Sequence, residues 1–512
     1  MPDAGDLLLV YVSSMSKQEA PVALLDKADR IRKDVSASTE QRHKSKLGQF
    51  MTPAPTARFM ASLFPNAHGI CRLLDAGAGV GALTCAFLDR WVEGGFQFDG
   101  VVAEAFEIDP RLNAHLRDHL AEYAERMAFQ PRVFADDFIE AAVQLSLAGR
   151  QTFTHAILNP PYKKINTGSL HRVAMSRAGL ETVNLYTGFV ALALDLMVQG
   201  GTLVAIIPRS FCNGPYYRPF RDWIFKRAAI KRMHLFDSRN SAFKDDKVLQ
   251  ENVIIVLERG GQQTTVEVST STDDTFSDLV ITRHDFTKIV HPGDRERFIH
   301  IPTSEEVDPL DLPGLTHTIA SLGLTVSTGP VVDFRMRYHT RKMPEEGTVP
   351  LLYPGHQIGY GLKWPVEDIK KFNAIVDDDE SRKWLIPNGW YPVVRRFSSK
   401  EEKRRIVAGV IDPRELAGFS RIGLENHVNY IHEKKQPLSE ELAKGLAVFL
   451  NTSAADASFR RFNGHTQVNA GDLKSMKYPS REVLCSLGRW VMALNSTPDQ
   501  EMVDRAFEEA IR

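Results

Sequence analysis

The sequence predicts an open α/β sheet of Rossmann-like form in its first half and a mixed α+β unit in its second. Three observations predict it. Short apolar strands alternate with helices between about residues 70 and 260. A glycine-rich turn joins the first of these strands to the helix after it. A stretch rich in Pro, Asp and Glu, residues 291–315, separates this region from one of different texture. The chain has 512 residues, 43% hydrophobic and 25% charged, which excludes disorder and a fibrous class and allows two or three domains.

The elements follow in order. Residues 13–46 are polar and helix-friendly and read as a helical extension. Residues 71–75 form a strand and 82–91 its helix; 101–108 form a second strand and 110–123 a second helix. Residues 155–158 are a third strand. Residues 185–198 read as a long apolar helix closed by Gly200 and Gly201, feeding a strand over 202–207. The β-branched run 253–257 reads as a strand near the end of the sheet. The boundaries expected are an extension over 1–45, a catalytic domain over 46–290, a linker over 291–316, a recognition unit over 317–490 and a C-terminal helix over 491–512.

Charge and cysteine usage narrow the class. The formal net charge is −1, so any basic surface has to be local. Cys71, Cys85, Cys212 and Cys485 are scattered, without a Cys-x-x-Cys pair. Free thiols in a reducing cytoplasm are expected, with no disulfide framework and no metal site. Asp3 and Asp6 precede the short apolar run 7–12, unlike the basic start of a signal peptide, and no apolar stretch approaches bilayer-spanning length. The expectation is a soluble cytoplasmic protein with no membrane partner.

The turn Asp75-Ala76-Gly77-Ala78-Gly79-Val80-Gly81 carries a ligand signature. Glycines let a backbone approach a ligand closely. Dinucleotide enzymes also have such a turn, but with G-x-G-x-x-G spacing; here it is G-x-G-x-G. Asp75 closes the strand where it can meet the positive end of an amino-acid ligand. S-adenosylmethionine has such an end, whereas a dinucleotide has a pyrophosphate there. Glu107, at the end of the second strand, suits two ribose hydroxyls, and a solvated strand-end acid is its plain alternative. Asp137 and Phe138 suit an adenine as acceptor and aromatic face; an acidic turn beside a core phenylalanine reads nearly as well.

Asn159-Pro160-Pro161-Tyr162 directly follows the third strand. The prolines stiffen the loop. The Asn159 side-chain carbonyl and the Pro160 backbone carbonyl are two acceptors for the two hydrogens of an exocyclic amine. The amino lone pair of adenine is delocalised into the ring; two such hydrogen bonds hold the nitrogen closer to tetrahedral and free the lone pair for a methyl sulfonium. Catalysis is then positioning and electrostatics, and Tyr162 can stack on the base. No Pro-Cys pair supports a cysteine nucleophile, and no serine-hydrolase elbow, phosphate-binding loop or H-E-x-x-H is present.

With these motifs the chain resembles the gamma-class amino-methyltransferases of bacterial restriction–modification systems. The resemblance covers residues 46–260 well. It implies a Rossmann-like S-adenosylmethionine methyltransferase sheet with a C-terminal α+β target-recognition domain, and transfer to adenine N6 of double-stranded DNA. In the leading segment Lys46-Leu-Gly-Gln-Phe-Met-Thr-Pro53, it implies cofactor contacts for Thr52 and Pro53. Asp75, Ala76, Gly77, Gly79, Glu107, Asp137 and Phe138 match the other cofactor motifs, and Asn159, Pro160 and Tyr162 the catalytic one. Phe243 matches the residue that packs on a flipped base, although a buried strand residue is its plain reading. A cognate restriction endonuclease is implied as a functional rather than physical partner, and the chain is expected to be a monomer or weak dimer.

The C-terminal half resembles recognition domains only loosely, in residues 355–359 and 462–469. Residues 321–480 hold 24 Lys and Arg against 19 Asp and Glu. Arg395, Arg396 and Lys400, with Lys403, Arg404 and Arg405, form a basic run suited to phosphate contacts, or a solvated helix face. Residues 384–391 and 460–469 offer side chains able to read base edges. A protein glutamine N5-methyltransferase is the main alternative, since it also methylates a planar amide nitrogen through such a loop; the long region after residue 316 counts against it. Residues 48–53 count against an RNA guanine methyltransferase, and intact motifs against a non-enzymatic DNA-binding subunit.

Overall fold

The computed structural model describes residues 24–38, 50–236, 251–302, 314–398, 402–462 and 467–511. The chain divides into two compact units, Met1–Ser304 and Glu305–Arg512. Among the described residues no helix is long and apolar enough to cross a membrane.

Among the described residues the first unit opens with α1 (Leu25–Ser38) and α2 (Ala54–Ser62). It continues as β1 (His68–Ala76), α3 (Ala82–Val92), β2 (Gln97–Phe106), α4 (Pro110–Ala124), β3 (Phe129–Phe134), α5 (Phe138–Leu147) and β4 (Phe153–Leu158). Then come α6 (Leu170–Arg177), α7 (Leu185–Asp195), β5 (Met197–Pro208), α8 (Arg218–Arg227), β6 (Ala228–Phe236), β7 (Asn252–Arg259), β8 (Thr265–Ser271), β9 (Val280–Asp285) and the short α9 (Phe286–Ile289). The sheet order is β3-β2-β1-β4-β5-β7-β6-β8-β9, and β3, β2, β1, β4 and β5 run parallel. The α/β reading of the first half holds.

Alternation along β1 shows how the sheet is buried. Leu74 and Ala76 join one apolar cluster, with α5 and α7 residues such as Ile139 and Val190. Cys71 and Leu73 join a second, with α2 and α3 residues such as Met60 and Phe87. The helix α1 is tied in as well. The backbone amides of Leu24 and Leu25 donate to the Asp89 carboxylate on α3, each at 3.2 Å. Asp29 accepts from the Ala54 amide at 3.2 Å, fixing the start of α2.

The order of strands reverses between β1 and β4: the chain moves outward from β1 through β2 to β3, then returns to β4 on the other side. A crevice opens at the carboxyl ends of strands at such a point, and ligands bind there. The glycine turn leaves β1 at this crevice and the Asn-Pro-Pro-Tyr loop leaves β4 at it.

The sequence reading did not include α5, α6, α8, α9, β6, β8 or β9, and three further differences have a physical reason. The strand β3 was not anticipated; Pro131 in it removes a ladder donor, which is tolerated because β3 is the edge of the sheet. The apolar run 185–198 is not one helix. The helix α7 ends at Asp195 and β5 begins at Met197, before the glycine pair. Both elements are buried there, so apolarity on every side hides the change of period. The run 253–257 is not near the end of the sheet, because β7 lies between β5 and β6, antiparallel to both, and β8 and β9 lie further out. Burial on both faces explains its unbroken β-branched character.

The second unit is α+β. A four-stranded antiparallel sheet runs in the order Thr325–Thr328, Val428–His432, Tyr391–Arg395, Ala408–Ile411. Its apolar face packs on helices Glu440–Leu450, Ser453–Phe462, Arg481–Met492 and Gln500–Ile511. A second sheet of five short strands buries Val349, Leu351 and Ile375 around Met336.

Candidate active site

The glycine turn is pinned to the sheet before it meets any ligand. The amides of Gly77 and Ala78 both donate to the Phe106 carbonyl at 2.9 Å. Gly77, Gly79 and Gly81 all have positive φ, which other residues rarely adopt. A Cβ on Gly81 would also lie 2.8 Å from Leu116 Cδ1, so the turn and α4 are in close contact there. The turn forms one wall of a cavity that Glu107, Asp136, Asp137 and Phe138 line from the ends of β2 and β3, and Asn159 and Pro161 from β4.

Glu107 lies just beyond the last paired residue of β2. Its Oε2 accepts from the Gly79 amide at 2.8 Å and its Oε1 from the Asp109 amide at 2.7 Å. Burial raises its carboxyl above the ordinary range, and these amides oppose that. The carboxylate is therefore fixed in direction. Asp137 caps α5, accepting from the Ile139 amide at 2.9 Å through Oδ1. Its Oδ2 meets His171 Nε2 on α6 at 2.8 Å. Phe138 is buried between Phe106 and Phe189, with ring centroids at 5.3 Å and 5.0 Å.

Asp75 and Pro53 do not line the cavity, and neither does Ala76. Asp75 is fully buried beneath the turn. Its Oδ2 accepts from Thr84 Oγ1 at 2.6 Å, and its Oδ1 has no hydrogen-bond partner. Burial pushes its carboxyl up to about 7, against the pull of the Thr84 hydroxyl. In the unfolded chain the group titrates in the ordinary aspartate range. Folding therefore binds a proton as pH rises from about 4 to about 7, and stability falls across that window. Asp75→Asn keeps the Thr84 hydrogen bond and abolishes the titration. It is expected to raise the thermal midpoint above about pH 7, by a few kcal/mol in stability, with the gain fading towards about pH 4. Calorimetric melts of the ligand-free chain across that range check this; an equal shift at every pH would contradict it.

The Asn-Pro-Pro-Tyr loop meets the segment before α2. Asn159 Nδ2 donates to the Phe50 carbonyl at 2.6 Å and to Thr52 Oγ1 at 2.9 Å. A carbonyl can only accept, so the atom facing Phe50 O is the amide nitrogen and the side chain has one orientation. Asn159 Oδ1 is left buried with no hydrogen-bond partner. Thr52 lines the same cavity, 4% exposed. Pro160 is buried and off the cavity wall, whereas Pro161 is on it. Tyr162 is half-buried. Its hydroxyl donates to the Ile206 carbonyl at 3.1 Å, and its ring meets Phe50 at 5.5 Å and Tyr186 at 6.2 Å. Phe243 lies outside the described residues.

Sequence reading missed Phe50, His171 and Phe189 as cavity residues. Phe50 was within reach, two positions before Thr52 in a segment already singled out. His171 and Phe189 carry no local signal.

The basic run of the second unit is not a continuous solvated stripe. Arg405 is 1% exposed, donating to Ser398 Oγ at 3.2 Å. Arg404 is spent on the carbonyls of Asn451, Thr452 and Ile406. For these two the expectation of phosphate contacts fails, because interior carbonyls and a hydroxyl take the guanidinium donors. Arg395 is half-buried and paired with Glu402. Arg396 donates to the Asn426 carbonyl at 3.1 Å and to Gln467 Oε1 at 3.4 Å. Lys400 lies outside the described residues. Among the 460–469 residues, Arg460 pairs with Asp456 at 2.7 Å.

Comparison with known proteins identifies the family. The family described as the Eco57I restriction-modification methylase matches residues 103–243. The chain is 49% identical over 479 residues to the type II methyltransferase M.BsuBI of Bacillus subtilis, covering 92% of this chain and 95% of that one. It is 40% identical over 476 residues to the type II methyltransferase M.PstI of Providencia stuartii, covering 91% and 93%. Among solved structures it shares its fold with the DrdV–DNA complex, with a TM-score of 0.50 and 12% identity over 92% of this chain and 59% of that one. The chain belongs to the type II DNA methyltransferases of restriction–modification systems.

Proposed function

We propose that the chain transfers a methyl group from S-adenosylmethionine to the N6 amino group of an adenine rotated out of double-stranded DNA. The observation that carries this is the Asn159 amide. Its two donors are committed to Phe50 O and Thr52 Oγ1, and its acceptor is buried and unpartnered on a residue that lines the cavity. An unpaired buried carbonyl costs about 1–3 kcal/mol. An amine brought to it recovers that, which suits a site complementary to its substrate's donors.

The residues fit the cofactor. The positive-φ glycines leave room beside the turn: a Cβ on Gly77 would come no nearer than 3.7 Å to Phe189. Glu107 would hold the ribose hydroxyls, Asp136 or Asp137 with Phe138 the adenine, and Thr52 the segment nearest Asn159. When bound, S-adenosylmethionine supplies an electrophilic sulfonium methyl group. Asn159 Oδ1 accepts one amine hydrogen and helps hold the nitrogen lone pair out of the ring; the Pro160 carbonyl, off the cavity wall in this structure, has to turn towards the amine to accept the other. Tyr162, clamped by Phe50, Tyr186 and Ile206 O, offers a preset wall for the base. Phe243 is the second candidate face. The role that follows is protection of host DNA from a cognate endonuclease in the cytoplasm. The protein-glutamine alternative finds no support among the relatives.

Single-molecule sequencing of DNA from an expressing host tests the reading. N6-methyladenine in one sequence context is expected; modified cytosine, or unmodified DNA, would sink it. Titration calorimetry is expected to show binding of S-adenosylmethionine and none of nicotinamide dinucleotides.

A further inference from the structure

We infer that the turn segment 332–339 of the second unit is a duplex-DNA contact surface, with Arg335 and Arg337 taking backbone phosphates and Phe334 and Tyr338 meeting the groove. This rests on the DNA reading above and moves the phosphate contacts away from the 395–405 run.

The run expected to bind phosphate is largely spent on its own unit. The segment 332–339 is the reverse. Arg335 and Arg337 are both exposed, and among the described residues neither has an acidic partner within ion-pair distance. The carboxylate in their midst, Asp333, is already paired with Lys371 at 2.8 Å. Tyr338 is 92% exposed and Phe334 62%, the former the most exposed of the large apolar side chains described. The Arg335 guanidinium lies 5.5 Å from the centre of the Phe334 ring.

This exposure does not come from a slack backbone. Met336, between the two arginines, is 4% exposed and anchored among Val331, Val349 and Leu351. Backbone hydrogen bonds from Met336 to Asp333 O at 3.1 Å and from His339 to Met336 O at 2.9 Å close two turns around it. A segment that hides one methionine and holds two aromatics and two cations without acidic partners in water has no folding reason to do so. Phosphates are the complement of such cations, and apolar side chains wedge into grooves.

The test uses the full chain and a labelled mixed-sequence DNA duplex, with binding followed by fluorescence anisotropy across a salt series. Arg335→Ala/Arg337→Ala is expected to weaken binding roughly tenfold on every duplex and to reduce the slope of log affinity against log salt by about two. Arg335→Glu/Arg337→Glu is expected to weaken it further. Tyr338→Ala is expected to weaken binding with the slope unchanged. Native thermal midpoints in these exposed variants separate binding from folding. A native affinity and slope in both arginine variants would overturn this contact surface and leave the DNA reading standing. Failure of the unmodified chain to bind any duplex would overturn both.

Discussion

Asn159→Ala is expected to stop methyl transfer while cofactor affinity and thermal stability stay near those of the unmodified chain. The change removes an acceptor, not a wall. Phe50 O and Thr52 Oγ1 lose one donor each, which costs about 1 kcal/mol apiece, and the buried unpartnered Oδ1 disappears at the same time. The two terms nearly offset, so folding is little affected. The transition state loses far more. Removing one preorganised group that acts where charge develops costs about 10²–10³ in turnover, and here the same group sets the hybridisation of the nucleophile. A loss of at least about a thousandfold in turnover is expected, measured by transfer of labelled methyl groups under single-turnover conditions. Base rotation should survive, because Tyr162 keeps its clamp. Fluorescence of 2-aminopurine at the target should therefore rise in Asn159→Ala and rise less in Tyr162→Ala. Native methyl transfer by Asn159→Ala would overturn the proposed role of the whole loop.

The parts of this site that were legible in the sequence are those encoded by neighbours. The glycine turn and the Asn-Pro-Pro-Tyr loop each lie within a few residues, and their chemistry follows from residue type and from placement at strand ends. What could not be read is supplied across distance. The orientation of Asn159 is imposed by a carbonyl 109 positions away. The helix α1, read only as an extension, sets the start of α2 through Asp29 and so stands behind the Phe50–Thr52 segment. Arginines look solvated in a sequence; that Arg405 is buried depends on Ser398 and helix Ser453–Phe462 folding over it. The strand β3 was hidden by Pro131, which only the edge position makes acceptable. In each case tertiary packing overrode a correct local rule.

Gly488→Ala is expected to unfold the second unit at a much lower temperature than the unmodified chain. Helices Glu440–Leu450 and Arg481–Met492 cross with their backbones in contact. A Cβ on Gly488 would lie 2.6 Å from the Glu441 carbonyl carbon, and one on Gly445 would lie 2.6 Å from that of Leu484. These are backbone atoms, so no side chain can swing aside; the two helices would have to separate. They share a core with Leu442, Leu446, Phe449, Leu484 and Phe507, and separation would open all of it. Overpacking of a tight core costs about 1–3 kcal/mol or more, and the upper end applies when the obstruction is main chain. Sequence alone points the other way, because a glycine inside a helix is ordinarily worth replacing: alanine gains about 1 kcal/mol of helix propensity. That makes Gly471 an internal control. It lies in helix Ala470–Ser475 with open space where a Cβ would stand, and Gly471→Ala should be neutral or slightly stabilising. Differential scanning calorimetry of the three variants separates the cases. Early melting is expected for Gly488→Ala and Gly445→Ala, with binding of S-adenosylmethionine by the first unit retained below the transition. Equal midpoints in all three would show that the helices slide apart freely, against the close crossing described.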